Sequence, residues 1–101
     1  MAYNLNFAES EPSRAEIDAL ADPVLIEFGA PWCGHCQAAQ PIIAEALADY
    51  PDLPHIKIED GPGRRLGRSF WVKLRPTLVV VKQGEEVGRD VRGVLMRFDV
   101  F

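Results

Sequence analysis

Cysteine is scarce in this 101-residue chain: the only two are Cys33 and Cys36, and two residues separate them. No other thiol remains from which a structural disulfide framework could be built. The pair must therefore react with each other, with a metal ion or with the sulfur of a partner. An apolar run at residues 24–28 predicts a buried strand before them, and residues 37–50 predict a helix after them. At such a strand-to-helix turn, backbone N–H groups and the helix dipole favour a thiolate at Cys33.

The sequence also lacks a long apolar run, and its N-terminus lacks a basic start followed by an apolar stretch. These absences argue against a membrane-spanning helix and a secretory signal peptide, so we expect a cytoplasmic protein. In that compartment a C-x-x-C pair is more often redox-active or metal-binding than a permanent cross-link. The length, with 48% hydrophobic and 26% charged residues, predicts a single domain over residues 1–101.

Charge is unevenly distributed along the chain, although the net value is only −4. Residues 1–56 hold nine acidic residues and one basic residue, whereas residues 57–101 hold ten basic and six acidic ones. An acidic domain without a recognisable motif is a poor candidate for nucleic-acid binding. The basic side chains of the second half are either simply solvated or form a face that steers acidic partners. Half of them lie at Arg64, Arg65, Arg68, Lys73 and Arg75.

The order of the predicted elements describes an α/β domain with a central mixed sheet flanked by helices. Ser13 and Glu16 have the spacing of a capping box and predict a helix that runs to about Leu20. Pro41 is expected to kink the helix that follows the cysteines, and the apolar stripe of that helix is predicted at Ile42, Ile43, Ala46 and Leu47. Strands are predicted at residues 3–7, 24–28, 54–59, 77–81 and 87–92, and further helices at residues 37–50, 64–70 and 94–101. The last helix is short, at about two turns.

From about residue 20 to residue 95 the chain resembles the thioredoxin family. The matching features are residues 28–36, the helix proline Pro41, Lys57, Arg75-Pro76-Thr77, Lys82-Gln83-Gly84 and Gly93. Within that family, Ala-Pro-Trp-Cys-Gly-His-Cys is typical of protein disulfide isomerase domains. The resemblance implies the thioredoxin fold with a shortened C-terminal helix. It also implies a thiol–disulfide oxidoreductase without a bound cofactor, and a cis peptide bond before Pro76.

Thiol–disulfide exchange needs an exposed thiolate, a second thiol that resolves the mixed disulfide, and a group that moves the second proton. Cys33 is expected to be the exposed nucleophile, and Cys36, one helical turn further on, the resolving thiol; the family assigns these roles to the matching positions. An imidazolium at His35 would stabilise the thiolate and so favour the dithiol over the disulfide. We therefore predict a redox poise on the oxidising side of ordinary thioredoxins.

Glu27 is a carboxylate in an otherwise apolar central strand, where burial of a charge is costly. The resemblance implies that this acid accepts and returns the proton of Cys36. Lys57, on the neighbouring predicted strand, could pair with Glu27 and tune its affinity for the proton. The alternative is a buried ion pair that only joins the two strands.

The resemblance also implies a substrate-binding surface made by Trp32, Gly34, Arg75, Pro76 and Gly93. In the family, the residue before the cis-proline offers its backbone N–H and C=O groups to an extended substrate. An apolar residue or threonine is more usual at position 75. Three roles are open for the Arg75 side chain. It stabilises the Cys33 thiolate, it selects acidic substrate segments, or it points into solvent and has neither effect.

Gly29 is another departure from the family, because a bulky aromatic residue is common at that position. The missing side chain leaves a space beside the active site, and Trp71 and Phe70 are the candidates to fill it. The given sequence ends on the apolar residues Val100 and Phe101, which suggests a docked end or a partner-covered surface.

Other functions remain open at the level of sequence. A metal site could combine Cys33, Cys36, His35 and His55, but one C-x-x-C is only half of a structural zinc set, so we expect no metal. Attachment of a c-type haem is excluded because Gln37, not histidine, follows Cys36. The main alternative is a thioredoxin-fold interaction module dedicated to one partner. For an oxidoreductase, the expected partners are protein disulfides or dithiols and an external reductant such as thioredoxin reductase or glutathione, with a monomer as the default state.

Overall fold

The computed structural model describes residue 4 and residues 6–91 of the chain. Its elements are α1 (Arg14–Asp18), β1 (Val24–Gly29), α2 (Gly34–Leu47), β2 (His55–Glu59), α3 (Arg65–Ser69), β3 (Thr77–Lys82) and β4 (Glu85–Val91). Gly93 and the predicted final helix at residues 94–101 lie outside the described residues. Of the predicted first strand, only residues 4, 6 and 7 are described, and Phe7 forms an isolated parallel bridge with Lys57.

Side-chain capping explains where the first two helices begin. The Ser13 hydroxyl accepts a hydrogen bond from the Glu16 N–H at 3.1 Å, and the Glu16 carboxylate accepts one from the Ser13 N–H at 3.1 Å, which confirms the predicted capping box. For α2 the cap is Cys33, whose sulfur accepts a hydrogen bond from the Cys36 N–H at 3.3 Å. The helix therefore starts at Gly34, three residues before the predicted start at residue 37, and continues through Pro41.

The strands form one mixed sheet in the order β2-β1-β3-β4. β1 pairs in parallel with β2, whereas the β1–β3 and β3–β4 pairs are antiparallel. Two residues with positive φ, Gln83 (51°) and Gly84 (81°), make the turn between β3 and β4, as expected of a tight hairpin. The mixed sheet with flanking helices confirms the predicted fold class. No helix among the described residues has the length and apolar character needed to span a membrane.

Alternation along β1 divides the core into two layers. Ile26 and Phe28 belong to the layer packed against α1 and α3, and Leu25 belongs to the layer packed against α2. Because Glu27 has the same parity as Leu25, its side chain lies on the α2 side of the sheet. The apolar stripe of α2 is Cys36, Ala39, Ile43 and Leu47. Ile42, predicted to belong to that stripe, is 45% exposed, so that assignment was wrong.

Candidate functional site

Both cysteines lie at the turn between β1 and α2, and they contact each other and Ala30. Cys33 is 8% exposed and Cys36 is 2% exposed, so neither is the freely exposed thiol that the sequence suggested for Cys33. The Cys33 sulfur is instead reached through a cleft of about 330 Å³. Besides Cys33, this cleft is lined by Trp32, Gly34, His35, Lys73, Leu74 and Arg75. Accessibility alone distinguishes the two thiols only slightly.

The pKa values of the two thiols differ far more than their accessibilities do. Burial alone raises the pKa of Cys33, but hydrogen bonds from the Cys36 thiol and from the backbone N–H groups of Cys36 and His35, together with the Arg75 charge, outweigh it and hold the pKa below its ordinary value. Burial raises the pKa of Cys36 to about 12, and its hydrogen bond to Cys33 adds to the rise. Of the two thiols, Cys33 is therefore the more readily ionised.

Arg75 supplies the positive charge that the sequence placed near Cys33. Its guanidinium lies 5.1 Å from the centre of the Trp32 ring, and its Nη1 is 3.8 Å from the Asp60 Oδ2. These contacts show that the side chain is held across the cleft instead of pointing into solvent. Trp32 remains 67% exposed at the rim. The peptide bond between Arg75 and Pro76 is cis. Pro76 directly precedes Thr77, which pairs with Phe28 of β1, so the proline lies at the end of the sheet that is next to the cysteine turn.

Glu27 lies beneath the cysteines and is completely buried. Its Oε1 is 2.9 Å from the His55 Nε2, and its Oε2 accepts a hydrogen bond from the Gln40 Nε2 at 2.9 Å. The predicted partner Lys57 is also present, but its Nζ is 3.9 Å from Oε2. Lys57 instead donates a hydrogen bond to the Gln40 Oε1 at 3.0 Å. Glu27 and Lys57 are therefore neighbours as expected, with the amide of Gln40 between them.

Sequence reasoning missed Gln40 altogether and considered His55 only as a possible metal ligand, not as a partner of Glu27. The second N–H of the Gln40 amide donates to the Cys36 carbonyl at 2.8 Å, which ties Glu27 to the backbone of Cys36. The sequence did carry a signal for both. Gln40 follows Cys36 by one helical turn, and His55 has the same parity as Lys57 on its strand, so each shares a face with a residue already identified.

The Cys36 side chain packs directly against Gly29, so any larger residue at position 29 would have to displace it. A Cβ there would lie 2.9 Å from the Cys36 Sγ and 3.8 Å from the Phe7 ring. The expectation that Trp71 or Phe70 fills this space is wrong. Trp71 is 80% exposed, and Phe70 packs against Phe28 in the other core layer. Phe7 occupies the space instead, with the Lys57 Nζ 4.8 Å from its ring centre.

A second cleft, of about 330 Å³, connects this buried network to the surface. Its walls are Asn6, Phe7, Ala30, Pro31, Cys36, Gln37, Gln40 and Lys57. Within the described part of the chain, no three His, Cys, Asp or Glu side chains are grouped so that they could hold a metal ion. The described site consists of two thiols whose pKa values are shifted in opposite directions, above a buried carboxylate with several hydrogen bonds.

Comparison with known proteins agrees with this geometry. The family model described as Thioredoxin matches residues 6–97. Thioredoxin of Chlamydia trachomatis is 35% identical over 86 residues, which cover 85% of this chain and 76% of the relative. Thioredoxin H2-1 of rice (Oryza sativa subsp. japonica) is 34% identical over 86 residues, and the match spans 78% of this chain but only 62% of the rice protein. The solved structure of reduced thioredoxin 2 from Pseudomonas aeruginosa has a TM-score of 0.78 and 58% sequence identity, with 89% of this chain and 83% of that chain covered.

Proposed function

This chain belongs to the thioredoxin family of thiol–disulfide oxidoreductases, and we propose that Cys33 attacks the substrate disulfide and Cys36 resolves the product. The Cys33 thiolate attacks one sulfur of the substrate, forms a mixed disulfide and releases the other sulfur as a thiolate. Cys36 then attacks the Cys33 sulfur, which closes the Cys33–Cys36 disulfide and frees the reduced substrate. The observation that supports this assignment is the opposite displacement of the two thiol pKa values. It also favours exchange over the alternative of a redox-inactive interaction module.

The second step needs a proton acceptor, because a thiol with a pKa of about 12 is ionised in only about one molecule in 10⁵ at neutral pH. We assign this role to Glu27. Its carboxylate is buried in the same layer as Cys36, and its charge is among the causes of the raised Cys36 pKa. Loss of the Cys36 proton to Glu27 removes that repulsion at the moment when the sulfur must become nucleophilic.

We further propose that the substrates are protein disulfides that enter the cleft above Cys33 in extended form. Trp32 and Gly34 would contact the segment from one side, and the Arg75 backbone, before Pro76, from the other. Gly93 is proposed as a further substrate contact on the family resemblance alone. The proposed setting is the cytoplasm, where thioredoxin reductase or glutathione would regenerate the dithiol.

His35 is expected to set the redox poise. Removal of its imidazole by His35→Ala should make the disulfide harder to reduce, by about 30 mV or tenfold in the equilibrium constant, because the cation no longer favours the dithiol. Equilibration with glutathione redox buffers measures this difference. The wild-type potential should lie between the values known for thioredoxin and protein disulfide isomerase, about −270 and −180 mV.

A polar substitution without a positive charge is the control for the His35 prediction. His35→Gln should shift the potential as much as His35→Ala, because neither side chain can carry the charge of an imidazolium. A wild-type potential as low as that of thioredoxin would contradict the prediction. So would a potential of His35→Gln equal to that of wild type, because it would exclude the imidazolium charge as the cause.

Arg75 is expected to select acidic substrates. Arg75→Gln should lower exchange rates with disulfide peptides flanked by acidic residues about two- to fivefold more than rates with basic analogues, which is the scale of a partly exposed charge pair. Rates for both peptides should also fall slightly, since the Arg75 charge helps to lower the Cys33 pKa. Lys82→Gln is the matched control, because it removes one positive charge at the opposite end of β3. An acidic-to-basic ratio that stays constant in Arg75→Gln would reject the selectivity.

A further inference from the structure

His55 is a buried histidine whose ring hydrogen bonds fix its tautomer. Its Nδ1 lies 2.9 Å from the backbone N–H of Asn4, and its Nε2 lies 2.9 Å from the Glu27 Oε1. A backbone N–H can only donate, so Nδ1 must be the acceptor and the ring hydrogen must be on Nε2. His55 is therefore a neutral donor to Glu27 for as long as the Asn4 contact holds.

This arrangement gives the two oxygens of Glu27 different surroundings. Oε1 accepts the hydrogen bond of His55, on the β2 side. Oε2 accepts from Gln40, the residue that also binds the Cys36 carbonyl and lines the second cleft. Since each carboxylate oxygen has two lone pairs, Oε2 can receive a further proton on the side that leads to Cys36.

We propose that His55 is a positioning residue for the second exchange step. It donates to Oε1, which holds the buried carboxylate in place and leaves Oε2 to take the incoming proton. This inference rests on the proposed role of Glu27 as proton acceptor. In the step, Cys36 loses its proton to Oε2 and its sulfur bonds to the Cys33 sulfur. The bond between Cys33 and the substrate breaks, and the substrate leaves with the electron pair as a thiolate. The proton on Oε2 then passes through the second cleft to solvent or to the released thiolate.

The groups that face Glu27 show which of them can replace the His55 contact. His55 and Lys57 face it from β2, and Cys36 faces it from α2, while its β3 partner Leu78 is apolar and Asp90 lies one strand further on β4. Lys57 is directed to the Gln40 Oε1, so loss of the His55 donor leaves Oε1 buried without that hydrogen bond. The carboxylate is then held less firmly for the Cys36 proton, and the second step slows.

Rapid mixing of the fully reduced protein with an excess of an aromatic disulfide that releases coloured nitrothiobenzoate separates the two steps. Attack by Cys33 releases the first nitrothiobenzoate, and attack by Cys36 on the mixed disulfide releases the second. We expect His55→Leu to slow the second release roughly tenfold at neutral pH. The first release should stay within about twofold of wild type. His55→Gln, which retains an N–H donor, should recover most of the rate.

Ile56→Val is the matched control, because Ile56 is the next residue on β2 and packs in the opposite core layer. It should change neither release. A second release that is unchanged in His55→Leu, while Glu27→Gln slows it, would overturn the His55 inference alone. An unchanged second release in Glu27→Gln would overturn the proton-acceptor role itself.

A direct measurement keeps the inference testable if His55→Leu fails to fold. Nitrogen NMR spectra of the wild-type imidazole at about pH 7 should show hydrogen on Nε2 and an unprotonated, hydrogen-bonded Nδ1. A ring with its hydrogen on Nδ1 would overturn the proposal, because His55 could not then donate to Glu27.

Discussion

Cys36→Ser is expected to stop the exchange reaction at the mixed disulfide. The serine hydroxyl cannot attack the Cys33–substrate bond, so reduction of a protein disulfide such as those of insulin should fall on the order of 1,000-fold or more. Cys33 should still form adducts, because the backbone N–H groups of residues 35 and 36 and the Arg75 charge still hold its pKa down. The pKa should nevertheless rise somewhat, since the hydrogen bond from the Cys36 thiol is lost. Intact-mass measurement of protein incubated with substrate should therefore show stable covalent adducts.

Cys33→Ser is the matched variant for this experiment. It removes the proposed nucleophile and leaves a thiol whose pKa is raised by burial, so we expect neither turnover nor adducts. Adducts that accumulate on Cys33→Ser but not on Cys36→Ser would show that the two roles are reversed. The absence of adducts on either variant, with an inactive wild type, would favour an interaction module without general exchange activity.

Glu27→Gln is expected to slow the second exchange step about 100-fold at neutral pH, which is at the lower end of what general acid–base catalysis contributes. The substitution preserves shape, but the amide cannot take the proton of a thiol whose pKa is about 12. As pH rises towards that value, direct ionisation of Cys36 replaces the missing acceptor, so the variant should approach wild type. Release of the second nitrothiobenzoate, followed from about pH 6 to about pH 10, measures this convergence.

Glu45→Gln is the matched control, because it makes the same chemical change at an exposed position of α2. Its two release rates should equal those of wild type. Glu27→Gln should also retain the wild-type fold, which circular dichroism can verify, since its amide can still accept from His55. A second release that is slowed equally at every pH would indicate a displaced Cys36 and not a lost proton acceptor.

The sequence predicted those parts of the molecule that depend on local pattern. The apolar run before the cysteines became β1, and the Ser13–Glu16 spacing produced the capping box, because each depends on residues close together in the chain. The position of Glu27 next to Lys57 was also predictable, since parallel pairing of two neighbouring strands places them in register. The helix start at Gly34 was missed because a cysteine sulfur, not a hydroxyl or carboxylate, caps the helix.

What the sequence could not supply depends on contacts between distant segments. Ile42 and Ile43 are equally apolar, and only the direction in which α2 meets the sheet determines that Ile43 is buried. The sequence predicted Lys57 as the direct partner of Glu27, whereas Gln40 and His55 make the close contacts, and the cause is similar. Each residue was visible on a suitable face, but the 2.9 Å contacts follow from how closely α2 and β2 approach β1.

The residues before α1 have a consequence for the order in which the protein becomes functional. Asn4 reaches His55 across a separation of 51 residues, and Phe7 fills the space beside Gly29 and Cys36. Closing such a long loop costs chain entropy that contacts within β1 and α2 do not require. Any partly folded state that has the cysteine turn but not these contacts could capture a disulfide before it could release one. Completion of the N-terminal contacts therefore links chain folding to catalytic turnover.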